Sequence, residues 1–346
     1  MKKTISYIAA LAALFAMGSC QKEIAQPEVE TPVVEVEYET VTFDVAAPSG
    51  TQTKTSYGET VTFEPELLVA VYLNDQTAGE TVVKYLPDAK TEITRKSNTE
   101  WTVSVSLVKN YRYQIVFWAQ RKNAPYAIDW KEGTITADYT VAANDITRDA
   151  FYNICKDYSV VEHQNEGAYS VKLSRPFAQI NIGAADYSEL VKLYEFLGRT
   201  ESDLETAIST PEEQTNLELA VPSVFHVLTG VADTPAPIRF ARAATTPSDG
   251  SYDLIDEAND IVVGGVNYTL VGTNYVFANP YRQNNPTANL MLTFAYNGNV
   301  FNINVPNASY ARNYQTNIVG SFFTSTARFE VVIVPGFNSE DIIKPL

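Results

Sequence analysis

The sequence predicts an all-β protein of two domains, and three observations carry that prediction. The chain has 346 residues, 45% of them hydrophobic and 12% aromatic, with 21 Tyr and only 19% charged residues. A disordered chain would be richer in charge and poorer in aromatics, so this one can bury a core. Its length suggests about two domains rather than one. Apolar residues also recur at every second position in run after run, the period of a half-buried strand.

Composition excludes several functions. The 41 acidic residues against 25 basic give a net charge of -16, which opposes a generic grip on nucleic acid or on an anionic membrane surface. Two Cys and two His are too few for a zinc ribbon, an iron–sulfur cluster or a disulfide scaffold.

The chain opens MKKTISYIAALAALFAMGSC. Lys2 and Lys3 form a positive start, Ile5 to Met17 is an apolar stretch too short to span a bilayer, and the small Gly18 and Ser19 stand directly before Cys20. This resembles a bacterial lipoprotein signal. Residues 1–19 are then removed, and Cys20 carries lipid on its thiol and amine and holds the chain to the outer membrane. Several acyl chains anchor stably where one would not. The other reading is an ordinary secretory signal with an incidental Cys. Loss of Lys2 and Lys3 would take the charge to -16 - 2 = -18. Cys155, among Phe151, Tyr152 and Ile154, is expected to be a buried, inert thiol. Residues 20–35, with Pro27, Pro32 and several Glu, read as an extended tether.

The strands follow in order. Val41, Phe43 and Val45 share one face of the first. Val61 and Phe63, then Val69, Val71 and Leu73, repeat the pattern. Trp101, Val103, Val105 and Leu107 alternate with polar residues, and Tyr111, Tyr113, Ile115 and Phe117 follow, so Lys109-Asn110 is expected in a hairpin turn. Val171, Leu173, Phe177, Ile180 and Ile182 give one or two further strands, and Pro176 argues against a central one. Leu190, Leu193, Tyr194 and Leu197 instead lie on one helical face, with Asp186 and Glu189 at capping-box spacing and Gly198 placed as a stop. A helix is expected near 187–197, followed by an acidic stretch at the domain crossover.

Asn297-Gly298 joins two runs in a two-residue hairpin. That turn opposes Phe294 to Phe301, Leu292 to Ile303 and Leu290 to Val305, which puts three apolar pairs on one face. Residues 327–335 are one more strand, with Phe329, Val331 and Ile333 on one face. The tail beyond it carries Phe337, Ile342, Ile343 and Leu346, apolar side chains in want of a partner surface.

No motif for chemistry is present: no P-loop, GxGxxG, HExxH or GxSxG. His163 and His226 are isolated, and no carboxylate stands where a raised pKa is expected. Asp253, Asp256, Glu257 and Asp260 read as a solvated loop rather than a calcium site. The expectation is a protein that is not an enzyme, with no catalytic, cofactor or metal residue.

Several segments together resemble the fimbrillin-like lipoproteins of the Bacteroidetes, the subunits of type V pili. They are the start through Cys20, Gln52-Thr53-Lys54-Thr55-Ser56-Tyr57, Leu173-Ser174-Arg175-Pro176-Phe177-Ala178-Gln179-Ile180-Asn181-Ile182, and Ala311-Arg312-Asn313-Tyr314-Gln315-Thr316-Asn317-Ile318-Val319-Gly320. The resemblance implies two transthyretin-like β-sandwich domains, which the crossover places at 36–185 and 186–346. It implies a surface subunit whose first strand is removed by proteolysis, so that other pilus subunits can add a strand to the opened groove and the fibre can mediate cell adhesion. Lys54 is the one basic residue between Lys22 and Lys84 and the candidate processing site. The donor would come from residues 327–346, with Phe337, Ile342, Ile343 and Leu346 as candidate donor side chains. The alternative is a surface lipoprotein that stays monomeric and binds glycan or host protein, with Trp118, Tyr126 and Trp130 as an exposed aromatic platform.

Overall fold

The structure is a computed structural model that describes residues 37–48, 65–77, 80–139, 148–163, 166–201, 203, 215–240, 260–281, 285, 288–296, 299–321 and 328–335. The first half holds β1 (Tyr38–Ala46), β2 (Pro65–Thr77), β3 (Glu80–Tyr85), β4 (Thr91–Arg95), β5 (Glu100–Val108), β6 (Arg112–Arg121), β7 (Tyr126–Asp129), β8 (Thr134–Ala137), β9 (Ala150–Ser159), β10 (Tyr169–Lys172) and β11 (Phe177–Ala184). Helix α1 (Tyr187–Phe196) follows. Then come β12 (Thr215–His226), β13 (Val231–Phe240), β14 (Ile261–Val263), β15 (Val266–Phe277), β16 (Ala288–Tyr296), β17 (Asn299–Ala308), β18 (Tyr314–Ser321) and β19 (Arg328–Pro335). Among the described residues the fold is all-β apart from this helix and helical positions at Glu201 and Asp203, and the chain from Glu37 onward is one compact unit.

Two four-stranded sheets, β10-β1-β5-β4 and β3-β2-β6-β9, face each other across one core. The strict alternation of β5 is realised: Trp101, Val103, Val105 and Leu107 are buried while their neighbours are not. They meet Tyr113, Ile115, Phe117 and Ala119 of β6. The reverse face of β6 is buried too, with Val116 and Trp118 packed on Ile135, Phe177, Phe225 and Phe277 of a second core. That double burial explains the unbroken apolar run Ile115 to Ala119. The remaining strands form sheets ordered β17-β16-β12-β8-β7, with β13 also on β12, and β14-β15-β11-β18-β19.

The expected hairpin at Lys109-Asn110 is not one. β5 pairs with β1 and β4, and β6 pairs with β2 and β9, so the turn carries the chain from one sheet to the other. Both strands are apolar on one face because both look into the same core from opposite sides. Asn110 takes a positive φ of 66°. The Tyr113 hydroxyl closes the corner, donating to the Val108 carbonyl at 2.9 Å and accepting from the Val108 N–H at 3.0 Å.

Pro176 precedes β11 rather than interrupting it. Contrary to the expectation, β11 is central between β15 and β18 and buried at all eight positions. Helix α1 is present, but its buried face is Tyr187, Leu190 and Tyr194, while Leu193 and Leu197 are exposed. Asp186 makes no side-chain cap, and Gly198 ends the helix at a φ of +76°. The hairpin has the expected register, with Phe294 opposite Phe301, Leu292 opposite Ile303 and Leu290 opposite Val305.

One buried ion pair fixes the link from β10 to β11. Asp149 accepts from Arg175 Nε at 2.7 Å and Nη2 at 2.8 Å, with both side chains almost completely buried. Arg175 also lies 4.7 Å from the Phe151 ring centroid. Beside it Ser174 and Tyr152 exchange backbone hydrogen bonds, which seat the end of β10 against β9. Asp149→Ala leaves a buried guanidinium uncompensated and should lower stability by about 3–5 kcal/mol, measured as a lower urea midpoint with unchanged slope. The double variant Asp149→Leu/Arg175→Met should recover most of that loss.

Candidate functional site: the first strand and its groove

β1 has the sequence of a strand with two different faces. Val41, Phe43 and Val45, with Ala47 just beyond, point inward and are buried; Thr42, Asp44 and Ala46 alternate outward. It lies inside its sheet. β5 pairs antiparallel along all nine residues, from Tyr38 opposite Val108 to Ala46 opposite Glu100. β10 pairs parallel along four only, from Phe43 opposite Tyr169 to Ala46 opposite Lys172. The N–H of Leu173 donates to the Ala46 carbonyl at 2.7 Å, and that of Ala47 to the Thr99 carbonyl at 2.8 Å. One half of β1 is therefore held on both edges, and the other half by β5 alone.

Phe43 is the deepest contact. Its ring lies 5.3 Å from Phe117, 5.2 Å from Tyr158 and 5.9 Å from Tyr169, centroid to centroid. Tyr158 reaches it because β9 carries a bulge. The β6–β9 register shifts between Tyr113 and Ile115, and Asp157, at a φ of 56°, turns out to Arg112. Two exposed residues in succession, Lys156 and Asp157, then bring Tyr158 back into the core. His163 stacks on the far side of Tyr158 at 4.9 Å, and its Nδ1 lies 2.6 Å from Glu166 Oε2.

Charge clamps β1 at two places. Asp44 Oδ1 accepts from Lys96 Nζ at 2.7 Å and from Thr102 Oγ1 at 3.1 Å. These bonds, Lys96 first, hold the Asp44 carboxyl below its ordinary range against the opposing effect of burial. At the other end Lys109 Nζ lies 2.7 Å from Glu37 and 3.4 Å from Glu39. The hydrogen bond to Glu37, then that to Glu39, raises the Lys109 ammonium above its ordinary value.

Every side chain that receives β1 belongs to another strand: Trp101, Val103, Val105 and Leu107 of β5, Phe117 of β6, Tyr158 of β9, Val171 of β10. Withdrawing β1 would open an apolar slot between β10 and β5. Burying Val41, Phe43 and Val45 contributes about 1.5–3 kcal/mol each, roughly 5–9 kcal/mol in all. An empty slot is thus costly, and an occupant of matching pattern is strongly favoured.

The other residues singled out by sequence fall variously. Cys20, Lys54, Phe337, Ile342, Ile343 and Leu346 lie outside the described residues. The final strand is present as Arg328–Pro335, paired with β18 at the edge of its sheet. The aromatic platform is overturned. Trp118 is fully buried, its indole N–H donating to Gln120 at 2.8 Å, and Tyr126 and Trp130 are half-buried against the same core. The reason is the double burial of the β6 sheet. Cys155 is free and buried, and burial pushes its thiol up to about 11, the reverse of an activated nucleophile. His226 ends β12 with Nε2 3.0 Å from Asp233.

Lys96, Thr102 and Lys109 escaped the sequence reading. The two lysines' only signal was a charge opposite in sign to those on β1, the neutral Thr102 gave none, and the placement of all three needs the strand order.

Phe43→Ala should cost about 3–5 kcal/mol, read by urea denaturation, and should speed proteolytic loss of β1. The acid dependence has a definite sign. A carboxyl held low stabilises above its unfolded pKa and loses that contribution as the pH falls through its lowered folded value. Amide protection factors along β1, corrected for the intrinsic exchange rate at each pH, should therefore fall on acidification below about pH 4 more in the wild type than in Asp44→Asn, which lacks the charged clamp at every pH.

Comparison with known proteins gives three findings. The family described as "Family of unknown function (DUF6562)" matches residues 32–344. No curated protein matches the sequence. Among solved structures, the chain is similar to the tip fimbrial protein Mfa3 from Porphyromonas gingivalis with C-terminal truncation, at 12% identity and a TM-score of 0.39, covering 86% of this chain and 100% of that one. A fimbrial assembly protein from Parabacteroides distasonis gives 11% identity and a TM-score of 0.36 over 86% and 100% of the two chains. A fimbrial protein from Bacteroides vulgatus gives 12% and 0.39 over 86% and 99%.

Proposed function

The chain belongs to the family of unknown function DUF6562, and we propose that it is a structural subunit of a surface pilus that polymerises by strand exchange and mediates cell adhesion. One observation carries this reading. β1 is a strand whose whole apolar face fills a slot built by other strands, and β10 covers only four of its residues on one edge. Such a strand is separable from the body once the chain after it is cut.

In this reading Cys20 carries lipid and places the precursor at the outer membrane, and residues 20–35 are the tether. Cleavage at Lys54 frees β1. β1 to β6, β9 and β10, all within residues 36–185, form the sandwich that offers the groove, while β7, β8 and β11 of that span join the sheets of residues 186–346, which supply the donor from the C-terminal stretch 327–346. The ladder hydrogen bonds of the donor add about 0.5–1.5 kcal/mol each, and association and ordering remove part of the total. The partners are further pilus subunits, and no cofactor takes part.

The test uses the chain with Cys20→Ser, so that no lipid obscures the size. Limited trypsin treatment should yield a body starting at Thr55 and convert the monomer to a ladder of oligomers on size-exclusion chromatography. Lys54→Gln should block both changes. A body that has lost β1 yet stays monomeric at high concentration would contradict the proposal.

A further inference from the structure

The outer clamp on β1 is made by residues that stay behind when β1 leaves. Lys96 sits on the β4–β5 turn, where its N–H donates to the Glu100 carbonyl at 2.8 Å and the N–H of Ser97 donates to the same carbonyl at 3.2 Å. Arg95 Nη2 donates to Asn98 at 2.6 Å and steadies that turn. Thr102 stands on β5, opposite Asp44. Ammonium and hydroxyl thus converge on one carboxylate oxygen from the permanent wall of the groove. Loss of Asp44 would leave a positive subsite one residue along from the Phe43 pocket.

We infer that Lys96 and Thr102 read a carboxylate on whatever strand fills the groove, and that they select Phe329-Glu330-Val331 of a second copy of this chain over the apolar tail behind it. The inference rests on the strand-exchange reading above and gives it a register. β1 presents Phe43-Asp44-Val45: an acid between two inward apolar residues. Within residues 327–346, Glu330 alone has apolar residues on both sides. Glu340 lies between Ser339 and Asp341, and Asp341 between Glu340 and Ile342. Neither can put its carboxylate on Lys96 while filling the pockets on both sides.

With Phe329 in the Phe43 pocket, Val331 takes the place of Val45 and Ile333 that of Ala47. The donor's bonding also favours the move. Among the described residues β19 pairs with β18 alone, whereas the groove offers β5 and β10. The match is incomplete at the far end. Ser325 and Phe323 fall where Glu39 and Glu37 meet Lys109, so that clamp stays open in the self-complex.

Exposed ion pairs discriminate rather than hold: about 0.2–1 kcal/mol per pair, a factor of roughly 1.4–5, while like charges suppress wrong partners and slow association. The test uses the full chain with a specific protease site in the segment after β1, cleaved so that β1 departs. Its probes are synthetic peptides of residues 323–335, the same peptide with Glu330→Lys or Ser325→Glu, and the tail 335–346. The unaltered peptide should bind and block oligomerisation, and Glu330→Lys should weaken it at least about 3-fold. That loss should reverse on the Lys96→Glu chain, and Ser325→Glu should tighten binding about 2-fold through Lys109. Equal binding of the unaltered and Glu330→Lys peptides to the opened groove, or tighter binding of the tail, overturns the charge readout and leaves strand exchange standing. If β1 departs and neither peptides nor subunits bind, strand exchange itself fails, and the readout with it.

Discussion

The burial of Phe43 between two sheets is the constraint on which the first half of the molecule depends. β1 contributes one aromatic ring to a pocket made by Phe117, Tyr158 and Tyr169, and those three rings come from three other strands. The sandwich of β10-β1-β5-β4 on β3-β2-β6-β9 needs something in that place. Nothing in the geometry requires it to be β1 itself. A slot that needs a strand, but whose walls are complete without that strand's covalent connection, is the physical basis for exchange.

The hold on β1 is uneven, and the unevenness has identifiable causes. β10 is short and parallel to β1, and the Tyr158–His163–Tyr169 aromatic group packs where β10 begins. Its far end is pinned by the buried Asp149–Arg175 pair and by the Ser174–Tyr152 backbone bonds. The four-residue wall is thereby placed accurately without being long. On the other edge β5 is held by the Tyr113 corner and by the turn that positions Lys96. The floor of the groove is more permanent than its occupant: β2, β6 and β9 reach the second core through Tyr72, Val116, Trp118 and Tyr152, while β1 touches only the first.

Much of this was legible in sequence where burial alone fixes an element. The strict alternation of Trp101 to Leu107 and the Asn297-Gly298 turn gave the right strand and the right register, because side-chain period and turn geometry are local. Gly198 marked the helix end for the same reason. Long-range choices were not legible. Lys109-Asn110 reads as a hairpin until β1 and β2 are seen to take the two neighbouring places. Pro176 reads as an interruption until β11 is seen to start after it. Trp118 and Trp130 read as free to bind sugar because nothing local tells that the β6 sheet is covered on both faces. The outer clamp was invisible because Lys96 and Asp44 are 52 residues apart.

A reversible lock on β1 tests the central claim most directly. Thr42 and Ser104 lie opposite each other on β1 and β5 and face outward. A Thr42→Cys/Ser104→Cys chain, with Cys20→Ser, can be oxidised to tie the strand in place, cut in the segment after it, and followed by light scattering. The account predicts that the oxidised, cut chain stays monomeric and that adding reductant starts growth into long polymers. Growth at the same rate with the lock closed would contradict it.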